Sequence, residues 1–103
     1  MAMEPDLAHE FARRYGTPFY AYDRDAVQSN VGTLRACLPG GSHLHYSLKA
    51  NPLPALVREA RAAGCSAEVT SLGELAAARE AGCTGSELLA GGPAKTSAFL
   101  DAE

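Results

Sequence analysis

The sequence predicts an α/β fold built on a parallel sheet, and three observations carry that prediction. From residue 43 onward, short strand-like runs alternate with amphipathic helical runs, the signature of βα units. A short repeat supports it: Ala60-Arg61-Ala62-Ala63-Gly64-Cys65 recurs as Ala78-Arg79-Glu80-Ala81-Gly82-Cys83, a helix end, a stop glycine and a strand start each time. Between the two copies, Ser71-Leu72-Gly73-Glu74 matches a capping box and marks where a strand gives way to a helix. With 103 residues, 47% hydrophobic and 20% charged, the chain has the make-up of one globular domain.

The elements follow in order. Residues 6–15 read as a helix capped by Asp6, with Leu7, Ala8 and Phe11 on one face and Gly16 as its stop before Thr17-Pro18. Phe19-Tyr20-Ala21-Tyr22, aromatic and bounded by Pro18 and Asp23, reads as a strand. Asp23 then caps a helix carrying Val27, Val31 and Leu34, which ends at Pro39-Gly40-Gly41. That stop divides a helix-strand-helix lead-in over 1–41 from a βα portion over 42–103. The βα portion opens with a strand from His43 to Ala50, and Asn51-Pro52-Leu53-Pro54 turns the chain. The next helix places Leu53, Leu56, Val57 and Ala60 on one face and stops at Gly64. A second strand runs from Cys65 to Thr70, and its helix runs from the capping box to Gly82. A third strand covers Glu87 to Ala90, followed by Gly91-Gly92-Pro93 and a helix beginning near Thr96. That last helix reaches Asp101-Ala102-Glu103 without a stop signal, so the expectation is a fragment of a longer protein. Three parallel βα units leave two open sheet edges, so the isolated piece is expected to be unstable or sticky.

Composition also narrows function. A net charge of -3, a pI near 5.5 and no basic run argue against nucleic acid or an anionic membrane as partner, and favour a small soluble ligand. The acidic start Met-Ala-Met-Glu-Pro-Asp-Leu lacks the pattern of a secretory signal, and no run approaches the ~18 apolar residues that span a bilayer. Cys37, Cys65 and Cys83 form no C-x-x-C pair and have no histidine at metal-ligand spacing, so they read as reduced, buried thiols of a cytosolic protein with no metal.

Candidate site residues come from strand periodicity. A period of two puts Leu44, Tyr46 and Leu48 on one face of the first strand and His45, Ser47 and Lys49 on the other. In the second strand Cys65, Ala67 and Val69 alternate with Ser66, Glu68 and Thr70. With the apolar faces against helices, Lys49 and Glu68 point to the interior of the sheet's concave side near the C-terminal ends of adjacent strands, where barrel enzymes keep their active sites. An inward lysine is costly without a partner or a task. Desolvation lowers an amine's pKa, and a neutral amine can attack an aldehyde, so a lysine beside a carboxylate is a sensible Schiff-base residue. By periodicity alone, the commoner readings are a solvated lysine at a strand edge and, for Glu68, a surface carboxylate with an ion-pair partner. His45, on the Lys49 face, reads as a packed, hydrogen-bonded histidine.

Motif identity changes those odds. The run His45-Tyr46-Ser47-Leu48-Lys49-Ala50-Asn51-Pro52 resembles the cofactor-lysine strand of the fold-type III pyridoxal-phosphate decarboxylases, the group of diaminopimelate, ornithine and arginine decarboxylases, usually Tyr-Ala-Val/Leu-Lys-Ala-Asn. Gly16-Thr17-Pro18-Phe19-Tyr20-Ala21-Tyr22-Asp23 resembles the family's opening motif, Glu68-Val69-Thr70-Ser71-Leu72-Gly73-Glu74-Leu75 its second-strand motif, and Gly92-Pro93-Ala94-Lys95 its third-strand Gly-x-x-Lys. Four motifs in order cover nearly the whole chain. Two positions depart from the usual pattern: Ser47 stands where alanine is common, and Leu72 where a small or polar residue is common. They suggest a specialised branch and leave the substrate open.

The resemblance implies the first three βα units of a (β/α)8 TIM barrel, with the strand at 19–22 joining a C-terminal β domain. It implies pyridoxal 5'-phosphate as cofactor and Lys49 and Glu68 as catalytic residues, Lys49 forming the Schiff base and Glu68 positioning or tuning it. Lys95 and Glu74 match family positions, but a helix-start charge and the capping box account for them. The activity implied is decarboxylation of an amino acid, diaminopimelate decarboxylase-like, in a homodimer. Decarboxylation of another or carrier-tethered amino acid, racemisation, and a non-catalytic regulatory role stay open as alternatives, and the isolated 103-residue piece is expected to be inactive.

Overall fold

The structure, a computed structural model, describes residues 3–102. Helix α1, Pro5–Tyr15, begins one residue earlier than the sequence suggests, with Pro5 at the first helical position and Glu4 as an N-cap that makes no side-chain bond. A proline there is preset for the helix and loses no needed N–H, so Asp6 lies in the first turn as an acidic residue instead of capping it. Gly16, at φ 81°, closes α1 with its N–H on the Ala12 carbonyl. Phe11 of α1 meets Tyr15 and Phe19 edge-on at ring separations of 5.9 and 6.2 Å.

Among the described residues the segment at 19–22, expected to join a C-terminal β domain, pairs with no strand. Tyr20 is 90% exposed and stacks on Tyr22 at 6.5 Å. A strand needs a ladder to satisfy its N–H and C=O groups, and among the described residues none is offered to this segment. Helix α2, Arg24–Cys37, starts as expected, Asp23 accepting the Asp25 N–H at 2.9 Å. Of its apolar face Val31 is buried and Val27 partly buried, while Leu34 stays 53% exposed.

Three parallel strands, β1 (His45–Ser47), β2 (Ser66–Val69) and β3 (Leu88–Ala90), lie in the order β1-β2-β3. Each is shorter than the sequence suggests. After Ser47 the chain turns, with the Ala50 N–H on the Ser47 carbonyl at 3.1 Å, and a 3-10 turn over Gly85–Glu87 takes the start of the third. Helices α3 (Pro54–Ala62), α4 (Leu72–Glu80) and α5 (Ser97–Ala102) follow the three strands in turn, and Thr96 accepts the Phe99 N–H at the start of α5. Leu48, Val57, Ala67, Val69, Leu75, Ala78, Cys83 and Phe99 make one core between sheet and helices, and Val31, Ala60 and Cys65 a second under α2.

The repeat read from the sequence is a repeated structure. Gly64 and Gly82 sit at φ 96° and 97°. In each copy the glycine N–H bonds the carbonyl three residues back (Arg61, Arg79) and the following cysteine N–H the carbonyl five back (Ala60, Ala78), the two bonds of a Schellman stop. An arginine from the preceding helix lies over each glycine: Arg35 donates to the Gly64 carbonyl at 2.7 Å, and Arg61 lies against Gly82 while pairing with Glu87 at 2.7 Å.

Candidate active site

The alternation of faces holds within the strands. Ala67 and Val69 of β2 are buried under the helices with Leu48, and Tyr46 packs on the same cluster. His45, Ser47, Ser66, Glu68 and Leu89 occupy the opposite face, which no helix covers among the described residues. One face is thus a core and the other is open.

Lys49 follows directly from the end of β1. It lies in the turn Leu48–Ala50, its side chain exposed, while its backbone is tied on both sides. Leu48 ahead of it is fully buried, and the Leu48 N–H reaches the Glu68 carbonyl at 3.1 Å, one step past the strand. Behind it, the Tyr46 hydroxyl donates to the Asn51 carbonyl at 2.8 Å, and the Asn51 side-chain oxygen accepts the Leu53 N–H at 3.1 Å. Burial, and to a lesser degree the neighbouring Tyr22, push the Tyr46 phenol above its ordinary pKa, so it stays a donor. The result is an exposed amine on a backbone tied at both ends.

Glu68 is partly buried on β2, directly across from Ser47 in the register. The Ser47 hydroxyl donates to Glu68 Oε1 at 3.2 Å. On its other side Glu68 lies over Gly91: a Cβ added there would stand 3.2 Å from the carboxyl carbon. Gly91 itself is held by its N–H on the Val69 carbonyl at 2.9 Å.

The structure therefore brings Lys49 and Glu68 to the C-terminal ends of neighbouring strands but not into an ion pair; among the described residues the ion pairs are Glu10–Arg14, Arg24–Glu59 and Arg61–Glu87. The expected inward, enclosed lysine is corrected to an exposed one, because a three-stranded sheet has no far wall to enclose it. His45 is likewise exposed and, among the described residues, makes no side-chain hydrogen bond. Glu74 does cap, with its N–H on Ser71 Oγ at 3.1 Å, but its carboxylate reaches one residue further back than a capping box predicts, to the Thr70 N–H at 3.2 Å and hydroxyl at 2.8 Å. Lys95 is exposed beyond β3. Of the cysteines, Cys65 is buried just before β2 and Cys83 ahead of the 3-10 turn that precedes β3, and burial raises both thiols, while Cys37 is exposed, contrary to expectation. Period two puts Ser47 on the Lys49 face two residues before it, and the motif marks it as a departure; its bond to Glu68 follows from the strand register.

Fold and site together define a class: an α/β domain with a parallel sheet whose strand ends carry an exposed lysine and a carboxylate. The family described as "Pyridoxal-dependent decarboxylase, pyridoxal binding domain" matches residues 24–102. A diaminopimelate decarboxylase of Deinococcus radiodurans is 36% identical over 98 residues, 95% of this chain and 26% of that protein. An uncharacterized protein of Sinorhizobium fredii is 41% identical over 96 residues, 90% of this chain and 21% of its own length. An L-glutamyl-[BtrI acyl-carrier protein] decarboxylase of Niallia circulans is 37% identical over 89 residues, 86% of this chain and 21% of its own length. The chain belongs to the pyridoxal-dependent decarboxylase family, in its pyridoxal-binding domain, and spans about a quarter or less of the length of these relatives. Among the described residues no helix is long and apolar enough to cross a membrane.

Proposed function

We propose that this chain is the opening portion of a (β/α)8 barrel that binds pyridoxal 5'-phosphate through Lys49 and decarboxylates an amino acid. The observation that carries the proposal is the Lys49 turn: an exposed amine, unpaired among the described residues, on a backbone fixed by Leu48 before it and Asn51 after it. The residues fit the cofactor. An amine bonds an aldehyde carbon in its neutral form, and the open sheet face beside this one carries the Glu68 carboxylate and the bare backbone of Gly91. When bound, the cofactor supplies an electron sink for the charge left as carbon dioxide departs.

The chain's own residues do the rest of what is proposed here. Lys49 would hold the cofactor through its amine. Glu68, at the neighbouring strand end, supplies the carboxylate that orients the lysine. Leu48, Tyr46 and Asn51 keep the lysine's backbone in place while its side chain is exchanged. The parallel sheet with helices on one face supports the barrel, whose closure would cover the face bearing Ser47, Glu68 and Leu89. In that reading Phe19–Tyr22 pairs with a β domain further along the protein, which acts as a cytoplasmic homodimer on a small amino acid.

Diaminopimelate is the first substrate to try, given the Deinococcus relative, and a carrier-tethered glutamyl group the second, given the Niallia relative at nearly equal identity. The test is an absorbance spectrum of the full-length protein with pyridoxal 5'-phosphate, before and after borohydride, for wild type and Lys49→Ala. A visible band that reduction fixes to the peptide bearing Lys49, and that the substitution abolishes, is expected. No band in a folded wild-type protein overturns the reading.

A further inference from the structure

We propose that Ser47 is a positioning residue that sets the orientation of the Glu68 carboxylate; the proposal rests on the reading of Lys49 as the cofactor lysine. Ser47 and Glu68 are register partners on β1 and β2, on the face that carries no helix. Among the described residues, the Ser47 hydroxyl is the one hydrogen-bond donor to the Glu68 carboxylate, at 3.2 Å, and no cation approaches within ion-pair distance. A partly buried carboxylate with a single protein donor is held toward that donor, since turning away forfeits the bond. Gly91 closes the opposite side. A side chain there would stand 3.2 Å from the carboxyl carbon, tighter than ordinary contact, so the carboxylate lies between a hydroxyl and a bare backbone.

The placement has a consequence for the lysine. Ser47 precedes Lys49 by two residues, and the turn between them is closed by the Ala50 N–H on the carbonyl of Ser47 itself. One residue thus fixes the carboxylate through its side chain and the lysine turn through its backbone. An alanine at 47 keeps the second function and loses the first.

The test is titration of the cofactor-free full-length protein with pyridoxal 5'-phosphate, read by the visible band and by the pH at which that band changes. Ser47→Ala is expected to weaken cofactor binding roughly three- to tenfold, in the range of a typical lost hydrogen bond, and to move the pH midpoint; Ser47→Thr restores both. In a Glu68→Ala background, Ser47→Ala is expected to change binding less than twofold, because the group it acts through is gone. Gly91→Ala, which displaces the same carboxylate from the other side, is expected to reproduce the Ser47→Ala loss without touching the serine. An equal loss in both Glu68 backgrounds, or an unchanged Ser47→Ala, overturns the proposal. A wild-type protein with no band removes the reading beneath it, and that failure is visible before any Ser47 variant is made.

Discussion

Leu48→Ala tests whether the Lys49 turn is held by burial. The Leu48 side chain is fully buried in the main core with Val57, Val69 and Leu75. Removing three carbons costs about 2.5 kcal/mol in lost transfer at ~0.8 kcal/mol each. The cavity left in a packed core brings the loss to about 3–4 kcal/mol. With a urea dependence of ~2 kcal/mol per molar, the midpoint falls by about 1.5–2 M at unchanged slope. Urea titration of the full-length protein by circular dichroism measures it, with Leu34→Ala as control, since Leu34 is 53% exposed and its truncation should stay within about 0.5 kcal/mol. The same variant should bind pyridoxal 5'-phosphate more weakly, because the backbone before Lys49 has lost its anchor. A Leu48→Ala loss below about 1 kcal/mol, or one no larger than that of Leu34→Ala, would refute the claim that this side chain holds the turn.

Two further outcomes follow from the same structure. Gly64→Ala and Gly82→Ala each force an L-residue into left-handed backbone at about 1–2 kcal/mol, and Gly64→Ala should lose more, because its Cβ would stand 2.6 Å from an Arg35 nitrogen that bonds the Gly64 carbonyl; paired urea titrations decide the order. Burial raises the Cys65 and Cys83 thiols and the Tyr46 phenol, so folding favours their neutral forms: that stability is complete below the ordinary thiol and phenol pKa values and is lost as pH rises through the raised ones. Melting temperature should therefore fall on the alkaline side, and a thiol reagent near pH 8 should modify Cys37 quickly and Cys65 and Cys83 only on unfolding.

The helices were the most legible part of the chain, because their ends are chemical. Asp23, Ser71, Gly64 and Gly82 each do in the structure what their residue types imply. Asp6 misled because a cap and an acidic first turn look alike in sequence, and Pro5 decided between them. Phe19–Tyr22 is a different case: strand composition describes a segment fit for a ladder, while the ladder depends on a partner elsewhere. Cys37 illustrates the limit of composition, since a thiol near the end of α2 is buried only if something packs over it.

At the site, alternation assigned the face but not the distance. Period two placed Ser47 and Glu68 together on the uncovered side, yet it could not say that Lys49 lies past the strand in a turn, because the Ser47–Ala50 bond that ends β1 depends on backbone geometry rather than residue type. That turn has an energetic logic. The bonds that fix the Lys49 backbone join residues two, three or five apart, with one reach of about twenty residues to β2. Contacts so local cost little loop-closure entropy. The lysine can therefore be held by its own strand and the next, before a sheet of any larger size surrounds it, whereas the environment that encloses its amine must come from a covered sheet face. Backbone placement and side-chain environment are separable in this site, and a Leu48 or Asn51 substitution should disturb the first while a Glu68 or Ser47 substitution disturbs the second.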